Sequence, residues 1–369
     1  MQARKVTIIL GNGFDIDIGL PTTYKDFWDS DYCPKDYPAP LIRHLNERCG
    51  QNRERVRWYD LENELMYYYR RARDIRGDND VITIEESSFL KTLDVNNRYF
   101  EIPLEYYTVS KTLQEKGYLL KGSETPGFII PYLADLLMSQ IDRDYIAFNL
   151  IKERLCAYLS SLNYDNYIRS NSMARALIQI MLKGKAYGNI FQVFSFNYTD
   201  TIAGFNNKLS ERVQFVHGSC KQGQIVIGTG DTLEITREYD FLIKSFDFSY
   251  NPPALVSELQ DSDEIIFFGH SIGYNDRQYF QSFFKQIVSS ALHSKKNITM
   301  FTYDLDSELE LKRALLKMTE GNLATLLNLA NVVFVHTNNS GETDKVKALT
   351  KRLGFPDEVS DNIISWIRE

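Results

Sequence analysis

The chain has 369 residues, of which 43% are hydrophobic and 25% are charged, with a formal net charge of -7. It lacks the excess of positive charge that sequence-independent binding to duplex nucleic acid requires. No stretch approaches the ~18 apolar residues of a membrane span, and the first residues do not resemble a signal peptide. These properties predict a cytoplasmic globular protein whose partners include neither a membrane nor duplex nucleic acid. The cysteines form no Cys-x-x-Cys pair, which indicates free thiols and no metal site, at Cys33, Cys49, Cys156 and Cys220.

A buried strand followed by a glycine-containing turn opens the chain. The apolar run Lys5–Leu10 leads into Gly11-Asn12-Gly13-Phe14-Asp15, and a helix is predicted to begin near Thr22. Two glycines at a strand end let the backbone turn sharply and approach a ligand, as in turns that hold a pyrophosphate on amide N–H groups. Ile16 stands where the third glycine of the G-x-G-x-x-G fingerprint belongs, so a turn without a ligand is the alternative.

Residues 37–188 are predicted to form a large helical insertion. Apolar residues recur at helical spacing in Trp58–Met66 and Ile130–Leu162, whereas alternating strands are scarce. From residue 189 onward short apolar runs return, and several are nearly continuous, as in strands covered on both faces. These predicted strands are Ile190–Phe196, Val213–Val216, Gln224–Gly228, Glu264–Gly269, Ile298–Tyr303 and Val332–Val335.

The later strands alternate with predicted helices at Arg277–Leu292 and Ser307–Lys317. This order favours an open, mainly parallel α/β sheet of the Rossmann-like type. The expected organisation is a first strand, turn and helix over residues 1–36, the helical insertion over 37–188, and the remainder of the Rossmann-like domain, with C-terminal helices, over 189–369.

Compact polar or glycine-containing phrases follow four of the predicted strands: Gly11–Asp15, Asn197–Asp200, His217–Ser219 and Gly269–Asp276. Ligands of open α/β sheets bind beyond the carboxyl ends of strands, so these phrases are expected to converge on one crevice. Each has a structural explanation when taken alone. Asn and Asp cap helices, a single histidine is often simply buried, and glycine permits turns.

The same phrases resemble those of the AbiH family, a group associated with bacterial abortive infection by phage. The resemblance covers nearly the whole chain and implies an anti-phage protein with a phage-derived trigger or partner protein and a homo-oligomeric state. It rests on Ile8–Asp15, Gly19–Thr22, Tyr24, Trp58–Glu62, Phe196–Asp200, His217-Gly218, Phe268–Gly273 and Asp276.

The order of the phrases is also similar, more distantly, to sirtuin-like NAD-consuming domains. That resemblance implies a sirtuin-like sheet and NAD as substrate or ligand, with no other cofactor. It places Asn197 and His217 at the positions that carry NAD chemistry in that group. Asp200 lies three residues after Asn197 instead of two, Asn12 replaces a small residue, and the zinc-binding cysteines of deacetylating sirtuins are missing. These departures argue against protein deacetylation.

Cleavage of the nicotinamide–ribose bond suits these side chains, because it passes through an oxocarbenium-like state. Asn197 would hold the carboxamide or ribose hydroxyls, His217 would act as the base, and Asp200 would be a third catalytic group. Glu62 is an additional carboxylate whose role the sequence leaves open. The residues expected to contact the nucleotide are Gly11, Asn12, Gly13, Phe14, Asp15, Gly218, Gly269, His270, Ser271 and Asp276.

The leading functional hypothesis is therefore an anti-phage hydrolase of the NAD glycohydrolase type. The alternative is a module that binds NAD or ADP-ribose without turnover and signals to a partner through the helical insertion. A third hypothesis is a toxin that cleaves RNA with His217 and the neighbouring carboxylates.

Overall fold

The computed structural model of the protein describes residues 4–51, 61–74, 99–100, 111, 120–121, 128–129, 140–164, 171–232, 235, 237–290 and 295–367. The strands are β1 (Arg4–Leu10), β2 (Tyr99–Phe100), β3 (Leu120–Lys121), β4 (Phe128–Ile129), β5 (Asn189–Ser195), β6 (Val213–Phe215), β7 (Gly218–Ser219), β8 (Gln224–Ile225), β9 (Glu264–Phe268), β10 (Asn297–Thr302) and β11 (Asn331–His336).

The helices occupy both the predicted insertion and the intervals between the later strands. Their bounds are α1 (Asn12–Ile18), α2 (Tyr24–Asp29), α3 (Pro40–Gln51), α4 (Leu61–Asp74), α5 (Gln140–Ser161), α6 (Met173–Gly184), α7 (Asn207–Ser210), α8 (Leu255–Asp261), α9 (Arg277–Val288), α10 (Leu305–Met318), α11 (Leu323–Leu329), α12 (Thr343–Arg352) and α13 (Asp357–Ile364). Within the ranges given above, no helix has the length and apolar character that a membrane crossing requires.

Six strands form one parallel sheet in the order β11-β10-β9-β1-β5-β6. The central strand β1 pairs with β5 on one side and β9 on the other, so Leu10 lies opposite both Ser195 and Phe268. Every residue of β9 is buried, as expected for a strand covered on both faces. The predicted open, mainly parallel Rossmann-like α/β sheet is therefore confirmed.

The direction in which strands are added changes at β1. The chain places β5 and β6 on one side of it and then β9, β10 and β11 on the other. Crevices at such switch points, at the carboxyl ends of the strands, are where open α/β sheets bind ligands. The ends of β1, β5 and β9 carry three of the predicted phrases, Gly11–Asp15, Asn197–Asp200 and Gly269–Asp276, so the sheet brings them to one edge.

Alternate residues of β1 face the two sides of the sheet. Ile8 and Leu10 contribute to a core with α1, α6, α12 and α13, whereas Ile9 contributes to a second core with α8, α9, α10 and α11. A third core joins α2, α3, α4 and α5 to residues 225–243. Helix α6 falls inside the predicted insertion, yet its apolar face covers the sheet.

A helix was missed at the turn after β1. Helix α1 begins at Asn12, immediately after Gly11, and ends at Ile18, followed by the C-cap residue Gly19, whose φ of 108° is left-handed. The predicted helix near Thr22 is α2, where Thr23 and Asp26 form a capping box. The glycine turn therefore starts a short helix at once, and α2 is the second helix of the unit.

The predicted strand Gln224–Gly228 is wrong as a member of the main sheet. Only Gln224–Ile225 is extended, and it pairs antiparallel with β7 in a separate hairpin. The turn between them closes at Gly223, which is left-handed with a φ of 70°.

Two helical patterns were predicted inside the insertion, and α4 and α5 cover their described parts. Residues 52–60 and 130–139 lie outside the described residues.

Candidate functional site

The turn after β1 packs directly against the turn after β9. The N–H of Gly11 donates to Phe268 O at 2.9 Å, and that of Gly13 donates to Gly269 O at 3.0 Å. A Cβ on Gly13 would lie 2.6 Å from Gly269 Cα, so glycine is required for this contact. The amides of Gly11 and Gly13 are thus already engaged by carbonyl groups. Pyrophosphate binding at these amides stays a prediction.

Replacement of Gly269 by alanine is expected to destabilise the protein by about 3 kcal/mol or more. Its Cβ would lie 2.3 Å from Gly13 Cα, and the residue is left-handed with a φ of 60°. Gly223 is a matched control, because it is also left-handed with a φ of 70° but has nothing within 4 Å of a Cβ. Gly223→Ala should cost only about 1 kcal/mol. Equal urea midpoints for the two variants would show that the contact between the turns is not tight.

Asn12 and Phe14 are held by the fold around this turn. The Asn12 side chain donates to Thr22 O at 3.2 Å and accepts from Thr22 Oγ1 at 2.6 Å, which ties α1 to the start of α2. Phe14 is buried, and its ring lies edge-on to Phe268 with 5.4 Å between centroids. Both side chains therefore have structural partners, and their predicted contacts with a nucleotide remain predictions.

A cleft opens between the ends of β1, β5 and β6. Its water-accessible volume is about 10 Å³, which is room for about one water molecule. Its polar lining comes from α1 and from the loop after β5, including Asp15 and Asn197. The lining residues are Leu10, Phe14, Asp15, Ser195, Asn197, Thr199, Asp200, Thr201, Ile202, Val213 and Phe215. Three of the predicted site residues with polar side chains thus lie together in one cleft.

Asp15 is the most perturbed group in this cleft. Its side chain is only 1% exposed and accepts hydrogen bonds from the hydroxyls of Thr199 and Thr201, the latter at 2.6 Å. Burial raises the pKa of Asp15 to about 6, although these hydroxyls and Asn197 oppose the shift. A carboxyl group with such a pKa exchanges protons close to neutral pH.

Asn197 and Asp200 hold the loop after β5 in different ways. The Asn197 Nδ2 donates to Gly11 O at 3.1 Å and so bridges the ends of β5 and β1. Asp200 accepts from Ala203 N at 3.3 Å at the start of a short helical turn, and it also pairs with the exposed Lys221 at 3.1 Å. The helix-cap interpretation is therefore confirmed for Asp200 and not for Asn197. Their catalytic roles stay predictions.

A second group of polar side chains surrounds Asp276. The His217 Nε2 lies 3.0 Å from Asp276 Oδ1, and the His270 Nε2 lies 3.4 Å from Asp276 Oδ2. Lys244 Nζ lies 3.1 Å from Asp276 Oδ1 and 3.0 Å from Glu62 Oε2. We call these five residues the Asp276 cluster. It combines two carboxylates, one ammonium and two imidazoles, and Lys244 is only 1% exposed.

The hydrogen bonds of the cluster fix the protons on both imidazoles. The N–H of Ile272 donates to His270 Nδ1 at 2.9 Å, so the proton of neutral His270 lies on Nε2 and points to Asp276. A carboxylate only accepts, so His217 also carries its proton on Nε2 and donates it to Asp276. The His217 Nδ1 is buried and has no hydrogen-bond partner among the described residues.

The electrostatics of the cluster keep His217 uncharged. Burial, assisted by the Lys244 ammonium, lowers the pKa of His217 to about 4, although Asp276 opposes this. Burial alone would raise the pKa of Asp276, but Lys244 and the two imidazoles hold it well below its usual range. Asp276 and Glu62 together raise the pKa of Lys244 above its ordinary value despite burial. At neutral pH, Asp276 and Lys244 are therefore charged.

The loop that carries the cluster contains a strained residue. Ile272 is buried and has a φ of 50°, a left-handed conformation that is costly for a β-branched side chain. It lies between His270 and Asp276 and bonds the His270 ring through its N–H. Ser271, the neighbouring predicted nucleotide contact, is exposed, whereas Gly218 lies in the β7–β8 hairpin with a φ of 72°.

The predicted site residues thus fall into two adjoining groups. Asp15, Asn197 and Asp200 line the cleft, whereas His217, His270 and Asp276 form the cluster. Phe196, next to Asn197 in the chain, packs on both histidine rings at centroid distances of 5.3 Å and 4.3 Å. The phrases converge on one edge of the sheet, but Asn197 and His217 belong to different groups.

The sequence interpretation missed three polar residues of the site. Thr199 and Thr201 flank Asp200 and were given no role, although both bond Asp15. Lys244 was missed altogether. One signal could have found it: a lysine directly after the apolar run Phe241–Ile243 is a candidate for a buried cation.

The profile of the family described as bacteriophage abortive infection AbiH matches residues 7–294. This range contains every residue of the cleft and of the Asp276 cluster. No curated protein and no solved structure matches the chain, so the distant similarity to sirtuin-like domains stays a prediction. The match covers more than half of the 369 residues. The chain therefore belongs to the AbiH family, whose role is in abortive infection by bacteriophage.

Proposed function

We propose that the protein cleaves the nicotinamide–ribose bond of NAD or a related nucleotide during abortive infection. The observation that carries this proposal is the buried Asp15 carboxyl, with its pKa raised to about 6, in the same cleft as Asn197. Strongly perturbed carboxyl groups in a cleft are candidates for acid–base work. Carboxylates also stabilise the oxocarbenium-like transition state of glycosidic bond cleavage.

The size and charge of the cleft define which part of a nucleotide would enter it. Its water-accessible volume of about 10 Å³ is far below the ~300–1,000 Å³ of typical small-molecule pockets. A ring or a ribose would therefore enter only after the side chains around the cleft move apart, and the carboxylates Asp15 and Asp200 favour a positive group. The nicotinamide–ribose unit is cationic, whereas the pyrophosphate is anionic. The pyrophosphate would therefore lie outside the cleft, on the side of the exposed Lys221.

The side chains of both groups have chemistry that suits this reaction. Asn197 uses Nδ2 to bond Gly11, which leaves Oδ1 to accept from the carboxamide or from a ribose hydroxyl. His217 is not among the lining residues of the cleft; its Nε2–H is held by Asp276, and its buried Nδ1 would take the proton of the water that attacks the ribose C1′ once bound substrate opens a path to it. Asp15 would stabilise the positive charge that develops on the ribose.

NAD turnover by purified protein tests the proposal. Release of nicotinamide should fall about 100-fold or more in Asn197→Ala and in His217→Ala. Asn338→Ala, at an exposed asparagine after β11, is the control and should retain wild-type turnover. The same variants should be compared in phage-infected cells, where the trigger is present. Wild-type protein that stops phage growth without any loss of cellular NAD would overturn the proposal.

A second candidate function is NAD or ADP-ribose sensing without turnover. The Glu62–Lys244 ion pair favours it, because Glu62 lies on α4 and Lys244 also contacts Asp276. A nucleotide bound near Asp276 would therefore change a contact with the helical block. Saturable calorimetric binding of NAD, with the ligand recovered unchanged from infected-cell extract, would support sensing. No observation on the described residues favours RNA cleavage over either function.

A further inference from the structure

Lys244 is a buried cation to which the proposed function assigns no task. Its side chain is 1% exposed, and its ammonium lies 3.0 Å from Glu62 and 3.1 Å from Asp276. The same ammonium lies 3.3 Å from His217 Nε2. A buried lysine is rare unless it is paired, and this one is paired twice. Its position beside the base proposed above suggests an electrostatic role.

The position of Lys244 depends on two parts of the chain. It lies in a short helical turn, Lys244–Phe246, whose backbone is fixed by the Lys244 N–H donating to Thr229 O at 3.0 Å. Glu62 reaches the ammonium from α4, in the helical block. The ion pair is therefore a direct contact between the helical block and the edge of the sheet that carries Asp276.

We propose that Lys244 is a positioning residue that keeps Asp276 ionised and His217 uncharged, and that Glu62 of α4 supplies its second counter-charge. The ammonium opposes a second positive charge on the imidazole 3.3 Å away, and it stabilises the carboxylate that orients this imidazole. His217 then presents the Nδ1 lone pair at neutral pH. That use of His217 rests on the proposed function, whereas its protonation state is measurable without any substrate.

The charges around His217 are few and well defined. Lys244, Asp276 and His270 are the charged or titratable groups that act on its ring directly, and Glu62 acts through Lys244. Among the described residues, Tyr198, Tyr250 and Tyr279 bring phenol groups near the cluster, and burial raises the pKa of each, so they are neutral. Aromatic contact comes from Phe196 and Tyr279. Burial of His217 and the ammonium of Lys244 both lower its pKa, to about 4.

Histidine NMR titration of the full chain tests the proposal, because the protein has only five histidines to assign. In Lys244→Met the titration midpoint of His217 should move upward from about 4 to above ~5, since burial still lowers this pKa but the ammonium no longer does, and Asp276 still raises it. In Glu62→Gln it should not rise, because the ammonium loses a counter-charge and acts more strongly. Lys285→Met, at an exposed ion pair with Glu320, is the control and should leave the midpoint unchanged.

A purely structural role predicts a different pattern. If Lys244 and Glu62 only held the cluster together, both variants would open it, and the His217 midpoint would rise toward ~6.5 in each. The double variant Lys244→Met/Glu62→Gln removes one charge of each sign, so it leaves no Glu62 carboxylate without its ammonium. It replaces Lys244→Met in the titration if that single variant does not fold. Its His217 midpoint should rise as in Lys244→Met. An unchanged midpoint in Lys244→Met or its double variant, or a rise in Glu62→Gln, overturns the proposal.

The His217 titration also distinguishes the role proposed for Lys244 from the proposed cleavage of NAD. A raised His217 midpoint in Lys244→Met, together with no NAD turnover by any form of the protein, would support the electrostatic role and contradict NAD cleavage. If NAD is cleaved, Asp15, with a pKa of about 6, should set the acid limb of the rate against pH in the wild type and in Lys244→Met alike, so the His217 midpoint and not the rate profile reports on Lys244. Turnover by wild type with an unmoved His217 midpoint would contradict only the role of Lys244.

Discussion

Asp15→Asn should lose at least about 100-fold of NAD turnover and yet unfold at a higher temperature than the wild type. The amide keeps the size of the carboxyl group, and the hydroxyls of Thr199 and Thr201 can donate to it or accept from it. It carries no negative charge, so it cannot stabilise a positive ribosyl group. Activity and stability are therefore expected to change in opposite directions at one position.

The stability gain follows from the sign of the pKa shift. The folded-state pKa of Asp15, about 6, lies above the ordinary 3.8, so the folded protein holds this proton more tightly than the unfolded chain does. The favourable contribution is complete below ~3.8 and is lost as pH rises toward ~6. Above that range, the buried charge costs about 1–3 kcal/mol, which Asp15→Asn removes.

Thermal unfolding between pH 4 and pH 8 measures this effect. Asp15→Asn should unfold a few degrees above the wild type at pH 7 and at nearly the same temperature at pH 4. Asp144→Asn is the matched control, because burial also raises the pKa of Asp144 to about 6, yet Asp144 lies on α5 outside the cleft. It should gain similar stability and keep its activity. A stabilised Asp15→Asn with unchanged turnover would remove Asp15 from the proposed reaction.

The sheet, and the edge of the sheet where the predicted site residues lie, could be predicted because both depend on local sequence patterns. Short apolar runs such as Glu264–Phe268 are buried on both faces, and alternation with helices fixes their parallel arrangement. Polar phrases that follow such strands must then share one edge. The predicted strands Ile190–Phe196 and Val332–Val335 accordingly correspond to β5 and β11, with boundaries that differ by one residue at each end.

The arrangement within that edge depends on long-range contacts that the sequence does not display. The contact between Gly13 and Gly269 joins turns more than 250 residues apart, so the sequence does not show that the amides of Gly11 and Gly13 bond carbonyl groups of the other turn. Lys244 and Glu62 approach each other only after the helical block has packed. Phe196, which packs on both histidine rings of the Asp276 cluster, is an apolar residue that no motif for polar chemistry would select.

Asp276→Asn is expected to give the largest combined loss of activity and stability. The carboxylate accepts from the Nε2–H groups of His217 and His270 and from Lys244, and it is the common acceptor of the three. An amide offers one acceptor and one donor. If the amide oxygen takes the place of Oδ1, the NH₂ group faces the Nε2–H of His270. His270 cannot move this proton to Nδ1 without losing the hydrogen bond from the Ile272 N–H.

The expected stability loss is about 2–4 kcal/mol, because Lys244 loses one of its two buried counter-charges and a donor pair is forced together. Turnover should fall about 10³–10⁴-fold, as when the carboxylate partner of a catalytic histidine becomes an amide. Asp247→Asn is the control, since Asp247 also pairs with a partly buried lysine, Lys152, but lies outside the site. It should cost about 1 kcal/mol and leave turnover unchanged.

A double variant separates the effect on His217 from general damage to the fold. If Asp276 acts by orienting His217, then His217→Ala/Asp276→Asn should turn over NAD no more slowly than His217→Ala alone. Independent roles would instead multiply the two losses. Multiplied losses, or an Asp276→Asn protein that retains wild-type turnover, would show that the 3.0 Å contact between these side chains serves the fold and not the reaction.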